Sequence, residues 1–309
     1  MAPIRRLLPL LGAGVGAAAG ILFLMRRPAA RASRHPVLAG GPLLIAHRGG
    51  AGLAPENTLE AFRRAVDDWA ADMIELDVHA TADGHCVVIH DPTVDRTTDG
   101  TGRVAEMTLA ELKRLDAGYR FSPDDGRTFP FRGKDVRIPT IEEVLEALPN
   151  TRLTIELKAA AAQRPLLEAI RRANAMDRVI VAGESDAYRT ELADYPGPKS
   201  TSSSEVRRLF ILHHLRLGRL WRSDAVAAQI PEHWNHRRIL TPALVRELHG
   251  HGLDVHVWTV NEPDDMHRLL EWGVDGLVTD RPDILADLLT DRFGRPPAPA
   301  RLRAHAGVE

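Results

Sequence analysis

Met73-Ile74-Glu75-Leu76-Asp77-Val78 alternates apolar and acidic side chains, and Leu153-Thr154-Ile155-Glu156-Leu157-Lys158 alternates in the same way further along the chain. Residues two apart in a strand share a face, so Glu75 and Asp77 project together while Ile74, Leu76 and Val78 pack behind them. Glu156 and Lys158 repeat that geometry. Alternation alone also suits a strand with one solvated face. Two like charges on one face, however, are unfavourable without a cation or a shared proton, and oxygen-only ligation suits Mg²⁺ or Ca²⁺.

Around these two stretches, short apolar runs alternate with longer amphipathic ones, the pattern of parallel strands joined by crossover helices, so the class is α/β. Strands are predicted at 43–46, 73–78, 87–90, 153–157, 179–182, 200–203, 226–230, 255–260 and 276–279, which gives nine candidates for eight barrel positions. Helices are predicted at 58–71, 108–115, 140–148, 164–174, 241–250 and 263–272, several opening on a Thr that can cap. Residues 91–139 hold many Gly, Pro and Asp and one short helix, and read as an insertion after an early strand. The domain organisation expected is an anchor over 1–27, a linker over 28–41, a barrel over 42–290 and a flexible tail over 291–309.

The chain has 309 residues, 40 basic against 42 acidic, so there is no basic excess of the kind a nucleic-acid partner requires. Cys86 is the single cysteine, which excludes an intramolecular disulfide and a Cys-rich zinc site. Residues 7–25 carry no charge and lie between Arg5-Arg6 and Arg26-Arg27. As a helix they reach about 28 Å, close to the hydrocarbon thickness of a bilayer, so a single-pass anchor is expected. The alternative is a leader cleaved after Ala30-Arg31-Ala32, which would leave a secreted domain. More Arg follows the apolar stretch than precedes it, which leans the globular part to the cytoplasmic side. Gly12, Gly16 and Gly20 repeat on one helix face and permit a homodimer in lipid.

His47-Arg48 follows the apolar run 43–46 and His90-Asp91 follows 87–89, so each His stands at the C-terminal end of a predicted strand, where barrel sites form. Diester hydrolysis needs a base for the attacking hydroxyl and an acid for the departing alkoxide, and imidazoles titrate near neutrality. Arg48 offers a bidentate donor for a phosphate and Lys158 a point charge.

His47-Arg48-Gly49-Gly50, Pro55-Glu56-Asn57-Thr58, Glu75-Leu76-Asp77-Val78, His90-Asp91, Arg137-Ile138-Pro139-Thr140, Glu156-Leu157-Lys158, Val257-Trp258-Thr259-Val260-Asn261 and the run to Asp280 together resemble the glycerophosphodiester phosphodiesterase family, over about 43–287. The resemblance implies a TIM-type (α/β)8 barrel in which His47 and His90 are the general acid and base and Glu75, Asp77 and Glu156 bind a divalent cation. It also implies phosphate contacts from Arg48 and Lys158, support from Asn57, and an apolar wall at Trp258 beside the leaving alcohol. The products it implies are glycerol 3-phosphate and an alcohol. A lysophospholipid is the alternative substrate, favoured by tethering to a membrane, and 209–220 is an apolar lip at the mouth or else a packed crossover helix. A barrel that only binds phospholipid headgroups is the non-catalytic alternative, and it has no use for two imidazoles.

Overall fold

The computed structural model describes residues 35–183 and 185–306. In chain order its strands are β1 (Leu43–Ala46), β2 (Met73–Ala80), β3 (Cys86–Val88), β4 (Arg152–Leu157), β5 (Val179–Gly183), β6 (Ala227–Pro231), β7 (His233–Trp234), β8 (Arg237–Arg238), β9 (Asp254–Trp258) and β10 (Gly276–Thr279). The helices are α1 (Leu59–Asp67), α2 (Leu109–Leu112), α3 (Ile141–Ala147), α4 (Gln163–Arg172), α5 (Ser203–His214), α6 (Pro242–Gly250), α7 (Pro263–Glu271), α8 (Pro282–Phe293) and α9 (Pro299–Ala306). Local chemistry sets the helix starts. Thr108 with Glu111, Thr140 with Glu143 and Ser202 with Glu205 each form a reciprocal capping box, and a Pro occupies the first turn of α6, α7 and α8.

The sheet runs β5-β4-β2-β1-β10-β9-β6, all parallel. Its two outer strands are joined through residues 199 and 200, since Lys199 pairs in parallel with Val181 and Ser200 with Ala227. The eighth barrel position is therefore a two-residue bridge rather than the strand expected at 200–203. The surplus candidate is β3, which folds back antiparallel on β2 around the turn at Gly84 and leaves the barrel path. Ile74, Leu76 and Val78 of β2 are fully buried between sheet and helices, so the alternate positions Glu75 and Asp77 face the barrel interior. The insertion has its own small core of Val94, Val104, Leu112, Ala117, Val136 and Ile138 packed on Val87 and Ile89.

Two further expectations change, and of the two readings of 209–220 the crossover helix holds. Within the linker read over 28–41, Pro36–Leu38 form a 3₁₀ turn whose Val37 and Leu38 join Leu43, Ile45, Met73, Ile180 and Ala227 under the barrel. Arg152, at the start of β4, bonds the Val37 and Ala39 carbonyls and fixes that turn as the floor. The tail over 291–309 is not loose as far as it is described. α9 docks where the Ala300 amide donates to the Asp68 carbonyl at 2.9 Å and Arg303 pairs with Asp68. Segment 209–220 is not a lip at the mouth: α5 is a crossover helix that buries Leu209, and its C-terminal end lies at the floor. The anchor expected over residues 7–25 and the Gly12, Gly16 and Gly20 face lie outside the described residues. Among the described residues, no helix is long and apolar enough to cross a membrane.

Candidate active site

The chain leaves β1 through a reversal in which Arg48, Gly49 and Gly50 all take left-handed backbone angles, φ 51, 86 and 91°. Gly49 is required twice over, because a Cβ there would stand 2.7 Å from Phe62 Cδ1 and 2.8 Å from Ala61 Cβ on α1. The turn aims the Arg48 amide at Glu75 Oε2 (3.0 Å) and its guanidinium at Glu56 Oε1 (2.9 Å), with Nε 3.3 Å from Asp77 Oδ2. Asn57, also left-handed, donates from its amide to Asp77 Oδ2 at 2.9 Å and accepts from the Asp77 backbone N–H at 3.3 Å.

β2 and β4 are in register so that Asp77 lies beside Glu156, and Lys158 follows at the end of β4. Glu75, Asp77 and Glu156 each present a carboxylate oxygen, all within 4.8 Å of one another. Lys158 Nζ sits 2.8 Å from Glu156 Oε2 and 3.3 Å from Asp77 Oδ1. Burial raises the Asp77 carboxyl, but Lys158 and Arg48 outweigh it and hold the group below the usual carboxylate range. Glu75 receives less compensation: burial and the charge of Asp77 push it up to about 8. The protein's own cations thus neutralise part of the cluster and leave Glu75 its least compensated member. Three converging oxygen donors with an uncompensated carboxylate fit a hard divalent cation.

Each rim histidine is backed by a carboxylate. His47 Nδ1 lies 2.6 Å from Asp280 Oδ1, and its Nε2 stands 3.9 Å from Glu75 Oε2. Asp280 is held by Asn261, whose Nδ2 donates to Oδ2 at 2.8 Å while its Oδ1 accepts from the Asp280 amide at 2.9 Å. Burial disfavours the imidazolium, but the Asp280 bond and the Glu75 charge overcome it, so His47 is raised and Asp280 lowered. His90 Nδ1 lies 2.6 Å from Asp91 Oδ1, and Arg96 ties Asp91 (2.7 Å) to Glu56 (2.6 and 2.8 Å). Arg96 and His90 hold Asp91 well below the ordinary range. The carboxylates accept only, so each Nδ1 carries a proton and each Nε2 is left for chemistry. Buried His79 donates from Nε2 to the His90 carbonyl at 3.0 Å and steadies that loop, its own pKa lowered by burial.

Direct contacts therefore join His47, Arg48, Asn57, Glu75, Asp77, Glu156 and Lys158, and His90 connects through Asp91, Arg96 and Glu56. Trp258 shares the rim as the half-exposed last residue of β9. Sequence reasoning gave no role to Asp280, Asn261, Glu56, Asp91 or Arg96. Asp280 had a usable signal, since it follows an apolar run at a strand end as His47 does; Arg96, within the turn-rich insertion, had none.

The profile of the glycerophosphoryl diester phosphodiesterase family matches residues 47–284. A glycerophosphodiester phosphodiesterase of Caldanaerobacter subterraneus is 37% identical over 80% of this chain and 97% of its own length. A human lysophospholipase D is 28% identical over 79% of this chain and 85% of its own. An Oleispira antarctica phosphodiesterase, solved in complex with the product sn-glycerol-3-phosphate, superposes with a TM-score of 0.66 at 25% identity, covering 82% of this chain and 99% of that one.

Proposed function

The chain belongs to the glycerophosphoryl diester phosphodiesterase family, and from that premise we propose that it cleaves glycerophosphodiesters to glycerol 3-phosphate and an alcohol at the His47/His90 rim. The observation that carries the residue assignment is the convergence of the Glu75, Asp77 and Glu156 oxygens within 4.8 Å, beside an imidazole whose free nitrogen faces them. Those oxygens would hold a divalent cation, Mg²⁺ or Ca²⁺, which would supply positive charge beside the bound diester. Arg48 and Lys158 add fixed charge and orient the phosphate. One imidazole Nε2 accepts the proton of the attacking hydroxyl, from water or from the substrate's own glycerol, and the other imidazolium returns a proton to the departing alkoxide. Asp280 and Asp91 keep each ring in the tautomer that leaves Nε2 available. Trp258 offers an apolar wall to the leaving alcohol.

The human relative supports a second substrate, a lysophospholipid cleaved at the same bond. For location, we propose residues 7–25 as a single-pass anchor, supported by their uncharged run between paired arginines. Glycerophosphocholine and lysophosphatidylcholine assayed side by side, with and without added cation, test the proposal. Release of glycerol 3-phosphate from the first that chelation abolishes is the expected result; cation-independent release would remove the metal from the account.

A further inference from the structure

Between Glu205 and Asp224 the chain has no acidic residue but carries Arg207, Arg208, Arg216, Arg219 and Arg222. The same stretch exposes large apolar side chains. Ile211 on α5 and Leu215 at its C-cap, one turn further, are 60% and 61% exposed, and Leu217 and Leu220 in the turn that follows are 45% and 57% exposed. Where Arg207, Arg208 and Arg222 form hydrogen bonds, they reach backbone carbonyls, so their charges stay outward. His213 pairs with Glu247 near the end of α6, and the Trp221 ring lies 5.1 Å from that of His251, just before β9 begins. The patch therefore sits at the floor of the barrel, opposite the His47/His90 rim. The chain enters at that same end, where Val37 and Leu38 pack with Ala227 and Val226.

We propose that this floor face is a docking surface for an anionic phospholipid bilayer. Exposed leucines bordered by five arginines, where the Glu247 carboxylate that reaches His213 and Gly218 is outnumbered, match an interface of acyl chains under anionic headgroups. Nine residues lie between Met25 and His35, ten Cα–Cα steps, so an anchor over 7–25 keeps the floor within about 35 Å of the membrane. A second copy of this chain would bring five like charges against five, and the apolar residues 7–25 would leave the arginines unmatched. The mouth exposes Trp234 and Trp258, but there Glu56, Glu75, Asp77, Asp91, Glu156 and Asp280 outnumber Arg48, Arg96 and Lys158, which are already paired with them, so it lacks the arginine-rich border of the floor. Docked by its floor, the barrel opens its site away from the lipid by about 26 Å, the length of the eight-residue β2. The substrate then arrives from water, which selects a deacylated glycerophosphodiester over a lysophospholipid of the same bilayer. That consequence rests on the hydrolase reading of the rim.

Cys86 is buried and its thiol is pushed up, so an introduced surface cysteine labels selectively. Full-length Leu220→Cys and Trp234→Cys chains carrying an environment-sensitive fluorophore are mixed with phosphatidylglycerol or phosphatidylcholine vesicles, and unlabelled chain is assayed on glycerophosphocholine. The label at 220 is expected to shift blue, more on phosphatidylglycerol, and to lose about fivefold of that shift with Arg216→Glu/Arg219→Glu, while the label at 234 stays unchanged. A shift at 234 equal to that at 220, indifference to the charge reversal, or a 220 spectrum already blue without vesicles would overturn the proposal. The last result would mean that residues 1–34 or a second copy cover the face. Loss of glycerophosphocholine turnover would strike the hydrolase reading and leave the docking result standing.

Discussion

Replacing Asp280 by asparagine exchanges one carboxylate oxygen for an NH₂, and the bonds around the residue decide which one. Asn261 Nδ2 donates to Oδ2 at 2.8 Å, so an amide oxygen stays there and the new NH₂ turns to His47 Nδ1, 2.6 Å from Oδ1. Nδ1 must then accept, and a neutral ring carries its proton on Nε2, the nitrogen that should be available for chemistry. The charge-assisted bond is lost as well, an effect of about 1.5–3 kcal/mol, or about 10- to 150-fold. With the tautomer reversed in addition, kcat is expected to fall at least about 10²-fold with KM within about threefold. The pH profile gives a second readout. Asp280 helps to raise His47, so its removal lowers that pKa. A base is active above its pKa and an acid below it, so in either role the limb set by His47 moves to lower pH. Profiles of kcat for wild type and Asp280→Asn, with circular dichroism to verify folding, make the test. An unshifted limb together with a loss under about threefold would refute the positioning of His47 by Asp280.

Four other perturbations follow from the same geometry. Glu75 has its folded pKa raised from 4.5 to about 8, so metal-free protein loses stability as pH rises through that window; Glu75→Gln should abolish this loss in thermal melts across pH. Added Ca²⁺ or Mg²⁺ at a hundred times Kd should stabilise wild type by about 2.7 kcal/mol and Glu75→Gln far less, measured by thermal shift. Lys158→Met strips Asp77 and Glu156 of a buried cation and should cost about 3 kcal/mol in metal-free denaturant melts, with partial recovery on adding the divalent ion. Arg96→Ala frees both Asp91 and Glu56, and kcat is expected to drop about tenfold with little change in melting temperature, because Arg96 is half exposed.

The carboxylate cluster was legible because strand alternation and charge gave two independent signals at the same residues: Glu75 and Asp77 on β2, Glu156 on β4. The parallel sheet was legible from short runs rich in Val, Ile and Leu, such as 43–46 and 179–182, which buried strands favour. What escaped depended on long-range partners. Pro36–Leu38 is too short to show a period, and its burial follows from Arg152 gripping the Val37 and Ala39 carbonyls across the sequence. α9 begins in a Pro-rich stretch and is held by Asp68, far away in the chain. The eighth barrel position is filled by two bridging residues, fewer than any strand pattern can reveal. Arg96 reaches Glu56 and Asp91 from a segment whose Gly and Asp content says only that the chain turns.

In the proposed reaction His47 and His90 move the protons of a diester cleavage beside a cation that Glu75, Asp77 and Glu156 would hold. Its most direct measurement is glycerol 3-phosphate release from glycerophosphocholine by the full chain, with Mg²⁺, Ca²⁺ or chelator, for wild type, His47→Ala and His90→Ala. Wild type should turn over only with a cation, and each substitution should lower kcat by about 10²- to 10⁴-fold at unchanged cation affinity. Equal rates in all three proteins, or full activity in chelator, would contradict it.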